Sequence, residues 1–169
     1  MNWESCELPK NSLIAAEIGF ALGGTGFEIS VLGDIAFTID GKPLDLADTV
    51  TYRGMMFTGV PNLLWVFGYF RAGWTLRVDL VADFVCRLLR HMQAHGARSV
   101  EVALRPEDAD MPILPWMDPE DFNPGYLARG GHLLPQRGDK PEWMHNQDYW
   151  SEKDELPAID LADAAFVYR

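Results

Sequence analysis

At 169 residues the chain is the size of one ordinary domain, and 48% hydrophobic with 12% aromatic residues is ample for a buried core, which excludes disorder. A formal net charge of -11 at pH 7 repels a phosphate backbone and an anionic membrane surface, so nucleic acid is excluded as a partner. Cys6 and Cys86 lack CxxC spacing and the apolar stretch 13–22 is broken by Glu17 and Gly19, so the chain reads as cytoplasmic, with no disulfide framework, signal peptide or membrane span.

Pro9, Asn11 and Ser12 predict a loop before a short strand or helix near 13–16. The apolar run 18–22 stops at Gly23-Gly24-Thr25-Gly26, as a buried strand entering a tight turn does. Alternation over 35–39, then Asp40-Gly41, then 42–44, predicts a β-hairpin with a type I′ turn; Pro43 places its second arm at an edge or lets it fray. Residues 50–52 suggest another short strand. Leu63-Leu64-Trp65-Val66-Phe67 is a continuous apolar run, suited to a strand covered on both faces and ended by Gly68.

From Thr75 the period changes. Leu76, Leu80, Val81, Phe84, Val85, Leu88, Leu89 and Met92 recur at helical spacing and form one apolar stripe. Thr75 is the expected N-cap, Arg87, Arg90 and His91 suit the C-terminal end of the helix dipole, and Gly96 suits a left-handed stop. Residues 100–104 predict a strand. Beyond Arg105 repeated prolines thin out regular structure, yet Tyr126, Leu127, Leu133, Leu134, Trp143, Tyr149 and Trp150 are too apolar for a solvated linker. The expected division is an α/β unit over 1–105 and an irregular segment over 106–169, anchored by its rings on that unit or on a partner.

The stretch Thr58-Gly59-Val60-Pro61-Asn62-Leu63-Leu64-Trp65-Val66-Phe67-Gly68-Tyr69, followed by Ala72-Gly73-Trp74-Thr75-Leu76, resembles the last FAD-contacting segment of flavin-containing and Baeyer-Villiger monooxygenases. Gly24-Thr25-Gly26-Phe27-Glu28 is similar to that family's Ala-Thr-Gly-Phe turn, and 39–44 to the hairpin between the two motifs. Tyr52 to Met56 and the 143–149 region are similar as well, so the resemblance covers roughly 24–169; residues 1–17 match nothing recognised. It implies the C-terminal portion of such an enzyme: a partial FAD-binding Rossmann-like unit with one long amphipathic helix and an irregular, Pro- and aromatic-rich tail.

The cofactor contacts it implies are Thr25, Gly26, Phe27, Pro61, Asn62, Leu63, Gly68, Tyr69, Trp74, Thr75 and Leu76. Gly26 and Gly68 would let backbone pass close to a flat ring, Trp74 would cover one side of it, and the start of the helix would aim N–H groups at its electron-rich edge. Read singly, Gly26 is an ordinary turn residue and Trp74 a core residue; their combination with Pro61-Asn62 at this spacing carries the resemblance. The complete enzyme would use NADPH to reduce FAD and insert one oxygen atom of O2 into a ketone or a soft heteroatom.

No GxGxxG turn occurs in the chain, and no residue is assigned a catalytic role. The nucleotide-binding domains would come from another chain, or the assembly would be a homo-oligomer; the competing readings are an inactive remnant and a small binding protein without flavin chemistry. His91 and His95 lie four apart without an evident third metal ligand. Asp79 and Asp83 fall opposite the apolar stripe. The acidic run 106–110 lacks the glycine and terminal glutamate of a calcium loop and is expected to be an exposed turn, and no serine has a GxSxG context.

Overall fold

The computed structural model describes residues 13–14, 18–23, 26–118, 120 and 124–169. Its elements, in chain order, are β1 (Leu13–Ile14), β2 (Ile18–Gly23), β3 (Gly26–Val31), β4 (Phe37–Ile39), β5 (Lys42–Leu44), β6 (Thr51–Tyr52), β7 (Met56–Phe57) and β8 (Leu63–Leu64). Then come α1 (Trp74–Ala94), β9 (Val100–Val102), β10 (Leu114–Pro115), α2 (Gly125–Gly130), β11 (Gln136–Arg137), α3 (Tyr149–Glu155) and β12 (Phe166–Tyr168). The architecture is mixed α/β: a four-stranded sheet in the order β1-β8-β7-β6, with β1 parallel to β8 and the other pairs antiparallel, and four two-stranded sheets around it.

The hairpin expected over 35–44 forms, and the strand expected over 18–22 pairs with a neighbour the sequence reading did not name. Asp40 and Gly41 both have positive φ, 51° and 78°, which is the requirement of a type I′ turn, and they join β4 to β5. β2 and β3 pair from Ile18↔Val31 to Gly23↔Gly26.

The run 63–67 forms a strand only over β8. Its partner β7 is two residues long, so the ladder ends there, although Trp65 N–H still donates to Met55 O at 2.9 Å. The continuous apolar character has the expected cause. Leu64 and Val66 enter one buried cluster while Leu63, Trp65 and Phe67 enter another, one on each face.

The first cluster is built on α1 through Val81, Phe84, Val85, Leu88 and Met92, with Tyr52, Met56, Val102, Trp143, Leu156 and Phe166 packed against it. Residues from both sides of Arg105 therefore share one core. β12 pairs antiparallel with β9, and Arg87 on α1 donates to the carbonyls of Leu156 and Ile159 at 2.9 and 2.7 Å.

Two expectations for the helix need correction. The N-cap is Gly73, not Thr75, which lies exposed in the first turn where its hydroxyl caps nothing. Leu76 is 38% exposed, and the buried position in that turn belongs to Arg77. The far end behaves as expected: Gly96 has φ 67°, and Ala97 and Gly96 donate to the carbonyls of Met92 and Gln93, the paired bonds of a Schellman stop.

The acidic run also departs from expectation. Glu107 and Asp110 are exposed, but Asp108 is fully buried and accepts from Arg105, Lys140 and the Trp143 indole N–H. Arg105, followed by Lys140 and Trp143, holds the Asp108 carboxyl far below its ordinary value of 3.8. A depressed folded pKa stabilises the native state fully above the unfolded value and progressively less as pH falls through the window below it. The stability gap between wild type and Asp108→Asn, measured by urea unfolding, is accordingly expected to be widest at neutral pH and to close steadily below about pH 4.

Candidate functional site

The site residues gather where the apolar run leaves the sheet and turns into α1. Phe67 is the hub of an aromatic cluster, with ring centroids 5.7 Å from Trp65, 5.3 Å from Trp116, 5.1 Å from Phe70 and 5.6 Å from Trp74. Trp65 and Trp116 are each 1% exposed, and neither indole N–H has an acceptor among the described residues. The Trp74 ring lies against Gly68 so closely that a Cβ there would stand 2.3 Å from it. Only glycine lets that half-buried ring fold back over the strand end.

The turn is held from beneath by Arg77. Its guanidinium is completely buried, forms a doubly bonded pair with Glu152 of α3 at 2.9–3.1 Å, and donates to the carbonyls of Phe67 at 2.6 Å, Arg53 at 2.6 Å and Gly54 at 3.3 Å. Glu152 also accepts from the Tyr69 hydroxyl. Burial, then the Glu152 carboxylate, pushes the Tyr69 phenol up, so it stays protonated and donates.

The upper side is held by side chains from 145–147. His145 stacks on Trp116 at 4.3 Å, with its Nε2 2.7 Å from Trp116 O. Gln147 accepts from Phe70 N–H at 2.8 Å and donates to Gly68 O at 3.3 Å. Burial, helped by the positive charges of Arg77 and Arg137, lowers the His145 imidazole to about 4, so it is neutral at pH 7.

The sequence-derived residues are not all in one place. Gly68, Tyr69, Trp74, Thr75 and Leu76 meet at the turn, but the Tyr69 side chain points down to Glu152, away from the aromatic cluster. Pro61, Asn62 and Leu63 lie at the other end of the run, about 20 Å from Gly68 if the chain is fully extended. Asn62, with φ 59°, spends its side chain on β9, accepting from Val100 N–H at 3.0 Å, and Leu63 is buried. Gly26 and Phe27 open β3, paired with Gly23 and Leu22; Thr25 lies outside the described residues.

The sequence reading missed Arg77, Glu152, His145 and Gln147. One signal for Arg77 was available: it stands four before Val81 and seven before Phe84, inside the apolar stripe, where a cation must be buried and paired. The 145–147 contacts come from a segment with no period.

What the corner offers a ligand is clear from its parts. α1 begins on a glycine without a side-chain cap and has no acidic residue in its first turn, so its positive end is open to an electron-rich group. Beside it stand Trp74 and the exposed apolar side chains Leu76 and Val78. His91 and His95 stack at 4.2 Å at the opposite end of α1, and no group of three or more metal-ligating side chains occurs among the described residues. No described helix is long and apolar enough to cross a membrane.

No protein-family model matches the chain, and no solved structure matches it. Curated proteins do. The chain is 40% identical over 85% of its length to the FAD-containing monooxygenase EthA of Mycobacterium tuberculosis, and 42% identical over 75% to EthA of Mycolicibacterium smegmatis. It is 36% identical over 87% to a protein named as probable FAD-binding monooxygenase AlmA in Acinetobacter baylyi. It spans only 27%, 25% and 29% of those relatives' own lengths. With the aromatic turn and its helix in hand, these matches mean that the chain belongs to the flavin-dependent monooxygenases, of which it corresponds to one portion.

Proposed function

We propose that this chain forms one wall of an FAD site, as part of a Rossmann-like FAD-binding unit whose phosphate-binding turns lie outside it. The observation that carries the reading is the Gly68–Trp74 corner at the uncapped start of α1, in a chain whose relatives are named for FAD. The residues fit the flat, electron-rich ring of the cofactor: Trp74 offers a face, Val78, one turn on along the same side of α1, an apolar border, and the helix start partial positive charge. They do not supply a diphosphate site, since no GxGxxG turn is present.

Bound and reduced by NADPH, FAD would supply the activation of O2 and the delivery of one oxygen atom to an organic substrate such as a ketone or a soft heteroatom. The chain's own part is to bind and to exclude water. Trp65, Phe67 and Trp116 pack together against the turn, and Arg77 fixes the Phe67 carbonyl so that the backbone entering Gly68 has one direction. Residues 106–169 brace this wall, through His145 and Gln147 above and Glu152 below. We further place the protein in the cytoplasm, working with a chain that supplies the nucleotide-binding domains or as a homo-oligomer.

Titration of the purified chain with FAD, followed by flavin fluorescence and tryptophan quenching, is expected to give weak but saturable binding that Trp74→Ala abolishes. A folded, monodisperse sample without saturable binding would make an inactive remnant or an unrelated binding protein the better account.

A further inference from the structure

The 68–70 segment is pinned from two directions at once. Tyr69 points down and is tied through its hydroxyl to Glu152. The backbone on either side of it, Gly68 O and Phe70 N–H, is held from above by the single amide of Gln147.

The hydrogen-bond logic fixes that amide's orientation. Trp116 O only accepts, so His145 Nε2, 2.7 Å away, carries the ring proton. The neutral ring then leaves Nδ1 as an acceptor, and the Gln147 amide nitrogen lies 3.4 Å from Nδ1 and 3.3 Å from Gly68 O. Two acceptors facing one atom require it to be the nitrogen, which turns Oε1 toward Phe70 N–H at 2.8 Å. A flipped amide would set oxygen against oxygen and nitrogen against nitrogen, so only one arrangement satisfies every partner.

Arg71, Ala72 and Gly73, which follow the clamp, are exposed and belong to neither buried cluster. The clamped residues 68–70 are themselves buried or half-buried and serve the core, while the exposed 71–73 that follow take their path into α1 from the clamp, so a flat ligand seated on Trp74 gains a fixed approach. We propose that Gln147, oriented by His145, is a positioning residue of the flavin wall: its amide fixes the 68–70 backbone and thereby sets flavin affinity. This rests on the flavin-wall reading above.

The test compares wild type with Gln147→Met, which keeps length and volume but loses both hydrogen bonds, and with Gln147→Glu. The glutamate keeps the acceptor for Phe70 N–H but sets a carboxylate oxygen against Gly68 O and His145 Nδ1. Amide exchange at Phe70 by NMR, FAD affinity by titration and Tm are read on each. In Gln147→Met, Phe70 exchange is expected to quicken at least tenfold and FAD affinity to fall at least tenfold, with Tm within about 3 °C of wild type. In Gln147→Glu, affinity is expected to fall similarly while Phe70 exchange changes less; this variant carries the test if the methionine fails to fold. Unchanged affinity in a wild type that does bind FAD overturns the proposal, as does an affinity loss that only tracks Tm. A wild type that binds no FAD overturns the flavin-wall reading instead, and Phe70 exchange then decides the clamp: slow in wild type and fast in Gln147→Met upholds it, unchanged sinks it.

Discussion

Replacing Glu152 with alanine is expected to cost about 3–5 kcal/mol of stability, enough to leave a domain of ordinary stability marginal. The reason is the position of its partner. Arg77 is 0% exposed on the inner face of α1, and Glu152 is the one carboxylate bonded to it among the described residues. Without that charge the guanidinium stays buried and uncompensated, because its remaining bonds reach only the carbonyls of Phe67, Arg53 and Gly54. The Tyr69 hydroxyl loses its acceptor in the same step. Denaturant unfolding measures the loss. The double variant Arg77→Met with Glu152→Leu is expected to recover only part of it: the uncompensated charge is gone, but the carbonyls of Phe67, Arg53 and Gly54 and the Tyr69 hydroxyl lose their partners. A single Glu152→Ala loss below about 1 kcal/mol would mean that water reaches the guanidinium and that the pair behaves as a surface ion pair.

Trp143→Ala is expected to be comparably severe, about 3–5 kcal/mol. The ring is fully buried in the α1 cluster, edge-on to Tyr52 with centroids 5.5 Å apart, and its N–H donates to the buried Asp108 at 2.8 Å. Alanine opens a cavity and strips a donor from a buried carboxylate. Trp143→Phe separates the two effects: it keeps much of the volume and is expected to cost about 1–3 kcal/mol, the loss of one hydrogen bond to a charged carboxylate that Arg105 and Lys140 still hold. Equal losses in both variants would show that the hydrogen bond, not the packing, dominates.

What was legible in the sequence follows from how local its cause is. The Asp40-Gly41 hairpin, the Gly96 stop and most of the α1 stripe depend on residues within a few positions of one another, and each forms as expected. Gly68 and Trp74 were also readable, through resemblance, as one corner, though the sequence could not reveal that the glycine serves the tryptophan's own ring. Thr75 failed as a cap because the turn reaches α1 through Gly73, which puts Thr75 already inside the helix. Asp108 was misread and Arg77 missed for a shared reason. A charged residue reads as solvated unless its partners are known: Arg105 stands three residues from Asp108, but Lys140 and Trp143, which bury it, and Glu152, which pairs Arg77, lie 32 to 75 residues away in sequence. Gln147 and His145 escaped notice likewise, since their contacts cross to Gly68, Phe70 and Trp116 from a stretch whose periodicity carries no signal.

The alternation along 63–67 bears on how the molecule comes apart. Leu64 and Val66 belong to one buried cluster, Leu63, Trp65 and Phe67 to the other, and one length of backbone is the partition between them. Neither core can melt without stripping a face of that partition and exposing large apolar side chains, so the loss of one undermines the other. Two clusters that would suggest two independently melting halves are thus coupled into a single cooperative transition by five residues, and any change that weakens one face is felt as softening on the opposite side.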